Sequence, residues 1–181
     1  MKSTIVKTNI LLPEFIETNL QYTNDFFRIP TTDDVAARPI RRKIIETAYK
    51  IMLSHMHGNN FIKNDFLNEN VYLIFRESYL KASNNAARSW QSTYAILRMY
   101  DVIKYAKPIG DNYITNDIKP GFQQNNHYTN LYKFEYNFTN ERVPYLNFPV
   151  ELIIGRKTTG ILVQYSIEHK KTVSKSMPKP I

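Results

Sequence analysis

Cysteine is absent from the 181 residues. That excludes disulfides, thiol catalysis and cysteine-ligated zinc. Glycine is scarce, at 5, and neither a G-x-x-x-x-G-K-[ST] phosphate loop nor a G-x-S-x-G nucleophile turn occurs. No apolar run approaches the ~20 residues that span a bilayer. The opening stretch, Met1 to Pro13, has too short an apolar core and no small-residue cleavage site for a secretory signal. An intracellular protein without a membrane partner is expected.

What the chain does have is aromatic residues and positive charge. There are 13 Tyr and 10 Phe, hydrophobic residues make up 43%, and the formal net charge is +8. The charge is unevenly spread. Residues 1–34 hold three Lys/Arg against five Asp/Glu, and residues 35–181 hold twenty-one against eleven. An acidic leader on a basic body suggests a polyanionic partner for the body.

Four regions are expected. Residues 1–35 form an N-terminal arm with two short apolar runs, able to pack on the body, on a second copy or on an assembly partner. A body over 36–119 follows, then a β-rich extension over 120–169 and a flexible basic tail over 170–181. The body opens on a helix over 36–57. Pro39 is tolerable in its first turn, Gly58 is a natural stop, and Ile40, Ile44, Ala48, Ile51 and Met52 form its apolar side. Cations crowd its start, against the macrodipole, which points Arg41 and Arg42 toward something negative. A loop with a short strand at Phe61-Ile62 leads to a second helix over Val71–Lys81.

The next stretch organises the expectation of function. Ser83, Asn84 and Asn85 offer N-cap chemistry, and Ala86, Trp90, Tyr94 and Leu97 recur at helical spacing. Asn85, Arg88, Ser89 and Ser92 then share a polar face with a single cation. Val102 to Tyr105 turns strand-like, Gly110-Asp111-Asn112 signals a turn, and Tyr113-Ile114-Thr115 is a β-rich return.

This order, over roughly 36–119, resembles a winged helix-turn-helix domain. The resemblance implies an α+β fold, with a recognition helix at 84–99 and a wing at 102–119. Thr129 to Lys133 is also similar to the segment after the wing in replication initiators of phages and plasmids. The function implied is non-catalytic nucleic-acid binding, to DNA rather than RNA, as an initiator or regulator. Asn84, Asn85, Arg88, Ser89 and Ser92 would face base edges. Arg41, Arg42, Lys104, Lys107 and Lys119 would hold phosphate. No cofactor, metal or catalytic residue is implied. An alternative from another class is a structural subunit of a large assembly, such as a virion or an organellar ribonucleoprotein.

In the extension, Leu131 to Phe138 alternates as a strand. Residues 146–155 and 160–168 form a second pair of strands around a basic tip at Arg156 to Thr159. His55-Met56-His57, with Tyr100 downstream, resembles the site of nucleases that nick single-stranded DNA at replication origins. The placement of His55 and His57 at a helix end splays the two imidazoles by ~200°, which argues against shared metal ligation.

Overall fold

The computed structural model describes residues 5–8, 27–32, 34–74, 78–115 and 128–170. It is a mixed α+β fold built on a large sheet. Strands β1 (Ile5–Thr8) and β2 (Phe27–Pro30) form a small antiparallel pair, with Ile5 opposite Pro30. The fully buried Ile29 anchors β2, which packs on the first helix. The leader therefore contributes to the core.

Helix α1 spans Ala37–His55, as the periodicity suggests. The backbone N–H of Ala37 donates to the Asp34 carboxylate at 2.8 Å, so Asp34 serves the exposed N-terminal amides. Of the apolar side expected for α1, Ala48 and Met52 are buried and Ile44 and Ile51 pack against the core, but Ile40 is 53% exposed. The buried side also takes in Ala37, Arg41, Ile45 and Tyr49, with Met56 just beyond the helix. Arg41 can take a buried position because its guanidinium donates to the Thr32 carbonyl at 2.8 Å. After α1, His57 and Gly58 have φ of 47° and 85°, which turns the chain away.

Strands β3 (Phe61–Asn64) and β4 (Glu69–Tyr72) make a hairpin. Val71 and Tyr72 thus belong to a strand, so the helix expected over Val71–Lys81 does not form as such: the helix here, α2 (Leu80–Ala86), shares only Leu80 and Lys81 with it. The run Val71-Tyr72-Leu73-Ile74 is β-branched and aromatic, and Asn68, at φ 55°, supplies the preceding turn. Two more short helices follow, α3 (Trp90–Leu97) and α4 (Met99–Tyr105).

The hairpin expected over 102–119 is not formed by the part of it that is described. Val102 to Tyr105 ends α4. Strands β5 (Lys107–Pro108) and β6 (Ile114–Thr115) do not pair with each other. Both lie antiparallel on β7 (Tyr128–Phe138), at Glu135/Phe134 and at Tyr132/Leu131. They form one interrupted edge with an excursion around Gly110. Val102 and Ile103 are β-branched yet helical because both are completely buried, and packing outweighs propensity.

Strands β8 (Phe148–Lys157) and β9 (Leu162–Glu168) complete a seven-stranded sheet in the order β3-β4-β9-β8-β7-β5, with β6 beside β5 on β7. The alternation in β7 is as expected. Tyr132, Phe134 and Phe138 are buried, and Lys133, Glu135 and Asn137 are exposed. The inner face packs against the helices in one core. A smaller cluster around Tyr128 and Val163 lies apart from it.

At Gly155 an added Cβ would collide with Cε1 and Cδ1 of the Tyr128 ring. Tyr128 is 3% exposed, so its ring has little room to retreat. Gly155→Ala is expected to destabilise the fold by about 1–2 kcal/mol through overpacking, read by urea denaturation. An unchanged midpoint would contradict this packing.

Tyr49 ties α1 to β9. Its hydroxyl donates to Gln164 Oε1 at 2.6 Å, and the Gln164 carbonyl accepts from the Ser78 hydroxyl at 2.7 Å. Burial pushes the Tyr49 phenol well above its ordinary range, and burial with help from Glu168 pushes Tyr165 up to about 12. Unfolded tyrosines ionise near pH ~10. Between there and the folded values the unfolded state releases protons that the folded state keeps, so stability falls as pH rises. The denaturation midpoint should therefore drop between pH ~10 and ~12. Some tyrosinate absorbance should appear only on unfolding, and a flat midpoint would contradict these assignments.

Candidate functional site

The segment expected to be a recognition helix at 84–99 is divided. Asn84 and Asn85 lie in the last turn of α2, and a turn at Ala87-Arg88 separates it from α3. The cap of the following helix is Ser89, in extended conformation, whose hydroxyl accepts from the Ser92 N–H at 3.1 Å. Helix α3 is buried from Ser92 through Leu97. Ser92 itself is 3% exposed, and its hydroxyl accepts from the His169 backbone N–H at 2.8 Å. Thr93 turns its hydroxyl back onto the carbonyls of Ala86 and Ser89. Trp90 packs edge-on against Phe148 and Tyr145. A helix enclosed to this degree cannot enter a DNA groove, so Ser92 is removed from the base-facing set and Ser89 is committed to the cap.

The remaining expected residues separate into two places. At the first, the start of α1 meets the end of α2. Arg38 donates to the Asn84 main-chain carbonyl at 3.2 Å. A cation there stabilises the carbonyl end of α2, whose last turn lacks a basic residue of its own. Arg42 lies one turn along α1 from Arg38, on the same side. Arg88 follows one turn after Asn84, with its backbone N–H on the Asn85 carbonyl at 3.1 Å. Arg38, Arg42, Asn84 and Arg88 are exposed, and Asn85 is half-buried. No carboxylate pairs with Arg42 or Arg88 among the described residues. Several other cations are occupied. Lys50 pairs with Glu46 at 2.6 Å, Arg98 with Asp101 at 3.2 Å, and Lys170 with Glu151 at 2.5 Å.

The sequence pointed to Arg42 and Arg88 separately but missed Arg38, whose role depends on how α2 crosses α1. It also placed Arg41 on phosphate, whereas Arg41 is 1% exposed and holds the Thr32 carbonyl.

The second place is the edge where α4 runs into β5. Lys104 is half-exposed there, and Lys107 is exposed. The Lys104 ammonium lies 5.1 Å from the Tyr105 ring centroid and 5.8 Å from that of Tyr100. A hydrogen bond with the Tyr105 hydroxyl, and next the charge interaction with Tyr100, raise its pKa. Lys119 falls outside the described residues.

The basic tip between β8 and β9 is tied down. Arg156 donates to both carboxylate oxygens of Glu69, at 2.9 and 3.1 Å, to the Tyr132 hydroxyl and to the Gly160 carbonyl. It bridges β8 to the distant β3–β4 hairpin and is not presented to a ligand. His55 is the last residue of α1 and His57 lies beyond it in left-handed conformation, so the two do not share a strand face.

Comparisons with family models, with curated proteins and with solved structures find no match to this chain.

Proposed function

We propose that this protein binds nucleic acid without acting on it chemically. DNA is its first partner, in the manner of a phage- or plasmid-type initiator or regulator. The observation that carries this reading is the set of exposed cations at the corner where α1 starts and α2 ends: Arg38 holds the Asn84 carbonyl, and Arg42 and Arg88, four residues on from Arg38 and from Asn84, have no carboxylate partner among the described residues. Guanidinium groups grip phosphate oxygens in pairs and stay charged at every working pH. Asn84 beside them is exposed and able to reach a base edge. The surface is α1 with the end of α2. The enclosed α3 is excluded as the inserted element.

Binding of the purified chain to duplex and single-stranded probes at two salt concentrations tests the reading. Affinity should fall steeply with salt, with a log–log slope of about −0.9 per neutralised duplex phosphate. Salt-independent binding, or none, would refute it. One observation favours the alternative of an assembly subunit: Val35 is 90% and Ile40 53% exposed at the start of α1. Sedimentation showing a stable oligomer that resists nucleic acid would select that reading.

A further inference from the structure

Strand β7 runs on past its short partner β5, and α4 ends beside the uncovered edge. A groove of about 300 Å³ opens there, lined by Tyr105, Lys107, Pro108, Glu135, Tyr136 and Asn137. Tyr105 is 48% exposed, with the Lys104 ammonium over its ring at 5.1 Å, and the rest of its exposed surface is what a flat ligand would meet. Lys107 lies opposite Glu135 in the strand register, and paired residues share a sheet face. No ion pair joins them among the described residues. The Asn137 amide donates to Glu135 Oε1 at 3.1 Å. That bond orients both side chains and leaves Glu135 Oε2 and Asn137 Oδ1 as acceptors.

We propose that this groove is a subsite for one unstacked base of a single-stranded nucleic acid, with a preference for guanine. Tyr105 is the stacking platform, Glu135 reads the base, and Lys107 meets the adjoining phosphate. The inference rests on the nucleic-acid reading and gives it a second contact of a different kind. An aromatic ring beside lysines is the ordinary equipment for holding single strands. The choice of base follows from the acceptors. An ionised carboxylate only accepts hydrogen bonds. Guanine offers two adjacent donors, N1–H and the N2 amino group, on its pairing edge. Thymine offers a lone N–H between two carbonyls, which a carboxylate repels. Recognition through that edge requires an unpaired base, so the groove reads single strands and ignores duplex.

Fluorescence anisotropy with a labelled all-thymine strand, and with the same strand carrying one central guanine, tests the subsite. The wild type should bind the guanine strand about tenfold tighter. Tyr105→Ala should weaken both strands by about tenfold, and Tyr105→Phe should restore binding. Glu135→Gln should remove the preference for guanine. Equal affinity for the two strands in the wild type, or an unchanged Tyr105→Ala variant, would overturn the subsite. If duplex binding is present in that case, the nucleic-acid reading survives and only the groove is lost. If the wild type binds neither strand nor duplex, both fail together.

Discussion

Asn64→Leu should cost the fold about 3 kcal/mol, the largest loss expected from any single change considered for stability. Asn64 is completely buried at the end of β3. Its amide donates to the carbonyls of Ile103 at 2.8 Å and Ala106 at 3.3 Å, and its oxygen accepts from the Leu67 N–H at 2.8 Å. The last carbonyls of a helix have no partner within the helix. Here Asn64 meets those at the end of α4, and the Asp65 N–H meets the Lys104 carbonyl at 2.9 Å. The turn of the β3–β4 hairpin therefore caps α4, and through α4 it reaches β5 at the far edge of the sheet. Leucine has the same branched heavy-atom skeleton, with methyls in place of the oxygen and the amide nitrogen, so it removes the polar contacts without opening a cavity. It would strand two carbonyls and one N–H, at about 1–3 kcal/mol per unsatisfied group before relaxation. Urea denaturation with an unchanged slope is the measurement. A loss below about 1 kcal/mol would mean that water replaces the side chain and that the clasp is not structural.

Reversing the charge at the corner should have the largest effect on binding. The Arg42→Glu, Arg88→Glu double variant is expected to lose at least about tenfold in duplex affinity at low salt. Its log–log salt slope should be shallower by about 1.8, which is 0.9 for each lost phosphate contact. Both side chains are exposed, so the denaturation midpoint should stay nearly where it was. Loss of affinity together with loss of fold would not support the corner, and retained affinity in a folded variant would contradict it.

The parts of this fold that could be read from sequence are those where one local rule dominates. Helix α1 has Pro39 in its first turn and Gly58 after its end, and β7 alternates over most of its length. The parts that could not be read are decided by tertiary contacts. Ser92 looks like part of a polar face, yet its hydroxyl and that of Thr93 beside it are satisfied within the fold and are buried with the apolar residues around them. The Ser89 and Ser92 pair just before an apolar run was the available cap signal, and Asn84 and Asn85 masked it. Val102 and Ile103 favour a strand but are held in a helix by complete burial. Arg41 looks like one more surface cation because nothing in its neighbourhood announces that Thr32 will offer a carbonyl. Of the candidate site, Arg42, Arg88 and Lys107 were legible as exposed cations. Their division between two surfaces, and the addition of Arg38 to one, depend on how helices and strands cross.

The most direct measurement is a backbone amide NMR titration of the full chain with a short duplex. Binding at the corner should shift the resonances of Arg38, Arg42, Asn84 and Arg88 and leave those of Thr93 to Ile96 unmoved. Shifts centred on α3 or on the tip between β8 and β9, with the corner silent, would contradict it.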